Sequence, residues 1–296
     1  MSFASLATGT VASVTAVVMG VASCVPDPDR PAATTGPPAI TGAAPSTTPS
    51  GVVVASSIPV YFTAEVDQRT MLYREYHLAV GADSLPARIA AALSVMMANQ
   101  ALDPDYGGVW PGGSTVRDVR IEGSVAVVDL AGVQAATVSR AAAQAAVQQL
   151  VFTVTAVAAD RGTQLSGVRL LVDGERVGRL WGQVSVGELL TRGPALDFLA
   201  PVWIISPQHQ ETVGRTFEVH LAGAVFEATM RLRVRDRGGN VVLSRSVMLS
   251  IGAPQRGEAT VSLTLAPGLY TVEAFEVSAR DGREQFLDDH TIEVAG

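Results

Sequence analysis

Residues 111–130 read PGGSTVRDVRIEGSVAVVDL, and the first half of the fold turns on them. Pro111-Gly112-Gly113 is loop punctuation. The residues after it alternate apolar and polar with a period of two, and the alternation breaks at Glu122-Gly123. That pattern predicts an antiparallel hairpin. On its N-terminal side, residues 58–63 (IPVYFT) and 72–80 (LYREYHLAV) predict two strands. The second sets Leu72, Arg74, Tyr76 and Leu78 against Tyr73, Glu75 and His77. Pro86 opens a helix running to about residue 99, because Ile89, Leu93, Met96 and Met97 recur at three- and four-residue spacing. On the C-terminal side, residues 137–150 predict an Ala-rich helix, and residues 151–157 (VFTVTAV) either continue it or begin a strand. Residues 168–172 and 176–180 flank Asp173-Gly174, a hairpin signal. The order ββαββαββ predicts an α+β sandwich with helices on one face of a mixed sheet.

From Pro201 onward the helical period disappears. Strands are predicted at 202–205, 216–222, 228–235, 241–247, 258–265, 268–277 and 286–294. Turn signals separate them, among them Gly238-Gly239-Asn240, Ala266-Pro267-Gly268 and Asp281-Gly282. This predicts an all-β immunoglobulin-like sandwich, without the antibody disulfide because the segment contains no Cys.

Residues 58–62, 72–78, 111–130, 148–156 (QQLVFTVTA) and 168–174 (VRLLVDG) stand in an order and spacing that resembles the GerMN domain of spore-germination and cell-envelope proteins. The resemblance covers most of residues 58–180, in a single copy. It implies a fold like that of ring-building modules of sporulation channels, with a role in assembly rather than turnover. It supplies no catalytic residues. Ser206-Pro207, Thr216-Phe217-Glu218-Val219, residues 223–228 (GAVFEA), residues 235–239 and Gly268-Leu269-Tyr270 resemble the Gmad immunoglobulin-like domain that accompanies GerMN domains. That resemblance implies an extracytoplasmic binding or assembly module.

The N-terminus reads as an address. Residues 6–22 (LATGTVASVTAVVMGVA) carry no charge and suit the apolar core of a secretory signal. Val21-Ala22-Ser23-Cys24 resembles the lipobox of bacterial lipoproteins, which implies diacylglyceryl transfer to the Cys24 thiol and a membrane anchor. The alternative is an incidental Cys behind a plain signal peptide. Residues 25–57 hold seven Pro and nine Ser/Thr, a composition that cannot bury enough apolar surface to fold. As an extended tether they reach at most roughly 100 Å, at about 3.1 Å per residue. Thr34-Thr35 and Thr47-Thr48 either carry O-linked sugar or are unmodified. The expected organisation is a signal peptide at 1–23, a disordered tether at 24–57, a GerMN-like domain at 58–196 and an immunoglobulin-like sandwich at 197–296.

Composition narrows the chemistry. The 296 residues carry 21 basic and 28 acidic groups, a net charge of −7, and every basic residue is Arg. A net acidic chain with dispersed Arg argues against nucleic-acid binding. Lacking Lys, the chain has no Schiff-base or P-loop lysine. One Cys allows no internal disulfide and no multi-Cys metal site. No cofactor and no metal are expected. High Ala, Val and Arg content suits a high-GC bacterium such as an actinobacterium.

The candidate side chains are few. Asp118, Glu122 and Asp129 lie on one hairpin, whereas acid–base pairs converge across a cleft. His77 lacks a partner at ligand spacing. Thr153 and Thr155 are expected to pack or cap, and Gln148 and Gln149 either line a groove or are simply exposed. Arg231, Arg233, Arg235 and Arg237 fall on one strand face, opposite Leu232 and Val234. That row is either a dock for an anionic polymer, headgroup or acidic partner, or a solvated face paired with Glu273 or Glu218. Asp288 and His290 share one side of a strand, which without a third ligand reads as a surface or edge cluster. Trp181 and Trp203 are expected to pack at the domain junction or, alternatively, to offer a sugar platform.

The function expected is a non-enzymatic, membrane-anchored envelope lipoprotein that scaffolds or binds through a protein partner or self-association, with a tie to sporulation or germination. The alternative is an accessory that binds anionic cell-wall polymer or peptidoglycan.

Overall fold

The computed structural model describes residues 55–133 and 137–296. Cys24, the signal sequence and almost all of the tether lie outside the described residues. β1 (Ala55–Val66) begins three residues earlier than expected and pairs in full register with β2 (Arg69–Val80). The connecting Asp67 and Gln68 both adopt positive φ, 48° and 62°. That is the geometry a two-residue hairpin needs to match strand twist, and Asp tolerates it better than most residues.

Two helices pack on this hairpin. α1 (Leu85–Met97) starts at Ser84, whose hydroxyl accepts the Ala87 N–H, and buries Ile89, Leu93, Met96 and Met97. α2 (Arg140–Asp160) is capped by Ser139 and runs unbroken through the ambiguous VFTVTAV segment. It is long and apolar enough to cross a bilayer, yet 72% of its apolar window is buried inside the protein, so it is a core helix. Its β-branched residues are helical because their burial outweighs their small propensity deficit.

α2 also completes β1. Thr153 Oγ1 accepts the Tyr61 N–H at 3.1 Å, and Gln149 Nε2 donates to the Tyr61 carbonyl at 2.8 Å. Both side chains are fully buried. Two residues further along β1, Thr63 exchanges backbone bonds with Gly107 at 2.7 Å. The free edge of the hairpin is thus closed by helix side chains and a loop instead of another strand.

β3 (Thr115–Glu122), β4 (Val125–Ala131), β5 (Gly167–Val172) and β6 (Glu175–Arg176) form a second sheet, with β4 and β5 parallel. Strands β1 to β6 therefore divide between two sheets, where one mixed sheet was expected. The hairpin β1–β2 is sealed by α2 and Gly107 along the edge that a sheet neighbour would otherwise occupy. Two short strands, β7 (Arg179–Leu180) and β8 (Val184–Ser185), and a helical turn, α3 (Ala195–Phe198), lead into the second domain.

The second domain is a sandwich. β9 (Val202–Ser206), β11 (Thr216–Gly223) and β14 (Gly257–Thr264) form one sheet. The other runs β10 (Thr212–Val213), β16 (Glu284–Val294), β15 (Gly268–Val277), β12 (Thr229–Asp236), β13 (Val241–Met248). All seven expected strands are present, and β10 is an eighth. Between the sheets lie Ile204, Val219, Leu221, Met230, Leu232, Val234, Val272 and Ile292.

β9 belongs to both domains. Val202 and Ile204 enter the sandwich core, while Trp203 and Ile205 enter the first core beside Tyr61 and Tyr73. Strand alternation makes this possible, since successive side chains point to opposite faces.

Candidate functional site

The Arg row lies on β12, with Leu232 and Val234 fully buried behind it. Arg231, Arg233 and Arg235 share the outer face. Arg237 does not continue the row, because β12 ends at Asp236. The Asp236 carboxylate accepts the N–H groups of Gly238 and Asn240, both at 2.9 Å, and bends the chain into a turn that carries Arg237 into solvent.

Two members of the row are engaged internally. Arg233 bonds Glu273 and forks onto both oxygens of Glu284, at 2.7 and 3.0 Å. Arg235 Nε donates to Glu273 at 2.8 Å. Of the two acids considered from sequence, Glu273 is the partner, and Glu218 sits on β11 in the opposite sheet. The Arg233 guanidinium holds the Glu284 carboxyl below the usual carboxylate range. Arg231 instead donates to the hydroxyls of Ser244 and Ser246, at 2.8 and 3.1 Å. A groove of about 580 Å³ runs past Arg231, Arg233, Ser244, Ser246 and Phe275. Phe226, 59% exposed, stands at its edge on a tight turn in which Glu227 and Ala228 both adopt positive φ, 51° and 56°. Such strain persists only where the surroundings hold it, here through the bond from Phe226 N–H to Glu276 at 2.8 Å.

The second constellation is at the domain junction, and it corrects the surface reading of Asp288 and His290. Both are buried, 5% and 4% exposed. β16 is an interior strand, and the 103–106 loop of the first domain covers the shared face of the pair. Tyr106 donates to Asp288 Oδ1 at 2.6 Å, and the Ile204 N–H donates to Oδ2 at 2.7 Å. His290 Nδ1 lies 2.7 Å from the Pro207 carbonyl oxygen. Asp103 approaches two imidazoles, His209 at 3.1 Å and His290 at 3.7 Å. Burial pushes the Asp288 carboxyl up to about 6, against the opposing pull of His290 and the Tyr106 hydrogen bond. Burial also drives the Tyr106 phenol well above its ordinary range, reinforced by Asp288.

Backbone contacts complete the junction. The Gln208 amide accepts the Tyr76 N–H at 2.6 Å and donates to its carbonyl at 2.8 Å, in the manner of a one-residue strand. The buried Glu75 carboxylate accepts the N–H groups of Leu102 and Asp103, fixing the loop that presents Asp103 and Tyr106. Its Oε2 lies 2.9 Å from His77 Nε2.

The remaining candidates have structural partners. Arg120 bridges Asp118 and Glu122, and Asp129 accepts the Gly174 N–H at 2.9 Å. Gln148 contacts Thr191 and Gly193. Thr155 donates back to the Val151 carbonyl at 2.6 Å. Trp203 packs at the junction as expected, but Trp181 stays in the first domain against Trp110, with ring centroids 5.3 Å apart. Among the described residues, no group of three or more His, Cys, Asp or Glu is arranged to hold a metal ion.

Residues 59–178 match the Germane family, described as sporulation and spore germination. Residues 201–283 match Gmad2, the immunoglobulin-like domain of bacterial spore germination. Among solved structures, the first GerMN domain of the sporulation protein GerM from Bacillus subtilis aligns at 17% identity and TM-score 0.37, over 46% of this chain and 98% of that one. The tandem GerMN domains of the same protein align at 11% identity and TM-score 0.33, over 50% of this chain and 49% of that one. A candidate lipoprotein from Clostridium perfringens aligns at 15% identity and TM-score 0.32, over 49% of this chain and 93% of that one. No curated protein matches the sequence.

Proposed function

We propose that this chain, which carries a Germane domain followed by a Gmad2 domain, is a non-enzymatic envelope protein of sporulation or germination whose two domains act together as one binding or assembly module. Its partner is another protein or a second copy of itself. Cys24 is the proposed lipid anchor, and the residues between it and β1, 25–54, are the proposed tether that lifts the module from the outer face of the membrane; residues 55–57, expected in the tether, belong to β1.

The observation that carries this reading is β9. One strand packs a face into each core, and the bonds of Asp288, His209 and Gln208 to the first domain add to that join. A rigid pair presents one continuous surface with a fixed angle between its halves, which suits a component that must hold neighbours in register. Crosslinking in intact cells carrying the tagged chain, followed by mass spectrometry, tests it. Self-adducts or one dominant membrane protein are expected. Adducts confined to muropeptide or wall polymer overturn it. The anchor has its own test: Cys24→Ala is expected to move the protein from the detergent to the aqueous phase in a Triton partition.

The groove beside Arg231 favours a second reading, the binding of anionic wall polymer. There Ser244 and Ser246 orient a guanidinium, and Phe226 lies exposed at the rim. Sedimentation with purified wall separates the two readings, since the first predicts no wall binding by the purified protein.

A further inference from the structure

Three apolar side chains stand in water around the groove beside Arg231. Phe226 and Val277 line it directly, and Val277 is 42% exposed. Met248, 75% exposed, pairs across the β12–β13 ladder with Thr229, which also lines the groove, so its side chain lies on the same face. Single exposed apolar residues are ordinary, whereas several around one concavity mark a binding surface. The backbone that carries Phe226 is held in place. Its N–H bonds the buried Glu276, and the second Glu276 oxygen accepts from Gln285 Nε2 at 3.2 Å. An anchor fixed before binding loses little entropy when a partner covers it.

The charges of the groove are few and nearly balanced. Arg231 directs two of its N–H groups to the Ser244 and Ser246 hydroxyls, which orient the guanidinium without neutralising it. Among the described residues it makes no ion pair. Arg233 is matched by Glu273 and Glu284. Glu227, which also lines the groove, has no cation partner among the described residues. The groove therefore holds one uncommitted charge of each sign. A polyanion would carry repeated negative charge past Glu227 and Glu284, and like charges repel. A single carboxylate reaches Arg231 without that cost, and a guanidinium binds one well.

Pairing of backbone with the free edge of β13 is disfavoured. β13 ends its sheet, but Arg245 is the cross-strand partner of Leu232 and so projects from the inner face. An inward charge of this kind blunts an edge strand. A second copy joined edge to edge meets the same obstacle, so attachment falls to side chains seated in the groove.

We propose that the groove bounded by Phe226, Met248 and Val277 docks a segment of a partner protein, with an acidic side chain on Arg231 and a neighbouring apolar side chain against Phe226. The proposal rests on the reading of the chain as a module with a protein partner, and it supplies the chemistry of that partner.

Selection of peptides by the purified full chain tests this, from a randomised library displayed inside a carrier loop so that no free C-terminus is offered. Enrichment of Asp or Glu beside Phe, Leu, Ile or Met is expected. The enriched peptide, synthesised with both ends blocked, should shift the Met248 methyl resonance and bind more weakly as salt rises. Arg231→Gln is expected to weaken it about tenfold, roughly the loss of one charged hydrogen bond. Phe226→Ser should also weaken it, as removal of a central aromatic anchor does. Both positions are exposed, so the fold is retained, and Arg237→Gln, outside the groove, should bind as the parent chain does. Selection without acidic enrichment overturns the proposal, and so does a peptide held equally well by Arg231→Gln. Polyphosphate that binds more tightly than the peptide, with the same dependence on Arg231, overturns it in favour of the polymer reading. Crosslinking in cells that yields no protein adduct overturns the underlying reading instead, so the two failures are distinguishable.

Discussion

The Tyr106 hydroxyl donates a 2.6 Å hydrogen bond to Asp288 Oδ1, joining a loop of the first domain to the last strand of the second across 182 residues. Both groups are nearly inaccessible to water, and the other Asp288 oxygen accepts the Ile204 N–H. The bond therefore has no solvent substitute.

Tyr106→Phe leaves a buried carboxylate oxygen without its donor, at a cost of roughly 1–3 kcal/mol. Thermal unfolding is expected to show a lower Tm with the fold retained. Combining the change with Asp288→Asn should cost less than the sum of the two single changes.

Asp288 also makes stability depend on pH. Its folded value, about 6, lies above the ordinary carboxylate range. The folded state therefore binds this proton more tightly than the unfolded chain does. The associated stability is present below about pH 4 and is lost as pH rises through about 6, a change on the order of 1–3 kcal/mol. Denaturant midpoints across this window are expected to fall with rising pH in the parent chain. In Asp288→Asn the slope should be shallower.

The edge of β1 offers a third test. Gln149→Leu removes the donor to the Tyr61 carbonyl from a fully buried site, and roughly 1–3 kcal/mol is expected to be lost. Thr155→Val, on the partly exposed side of the same helix, should cost under about 1 kcal/mol. A comparison of chemical denaturation midpoints distinguishes them.

The Arg row divides into two classes. Arg233→Ala strips Glu273 and Glu284 of a shared partner, and Glu273 is 8% exposed, so a loss of stability is expected. Arg231→Ala and Arg237→Ala should shift stability by no more than about 0.5 kcal/mol, as surface changes generally do. Wall-sedimentation experiments therefore belong on Arg231 and Arg237, where loss of binding is not confounded by loss of fold.

Much of this architecture was legible in the sequence. The seven long strands of the second domain stand between strong turn signals, and strand alternation placed Leu232 and Val234 inward. β10 escaped notice because two residues carry no period. The segment 151–157 stayed ambiguous because its β-branched residues favour strands, and only packing against β1 decides for helix. Asp288 and His290 were correctly set on one face, but whether that face meets water depends on Tyr106 and Asp103, far away in the chain. Glu284 was missed as the partner of Arg233 for the same reason, since 51 residues separate them.

Seen in terms of inheritance, β9 limits how this protein can be taken apart or rebuilt. A crossover placed just before residue 201 moves Trp203 and Ile205 with the sandwich, so the recipient acquires an exposed indole and the donor is left with a gap beside Tyr61 and Tyr73. A crossover placed after β9 deprives the sandwich of an edge strand. Neither cut yields two clean halves, so any new neighbour for either domain must arrive with a substitute for that strand.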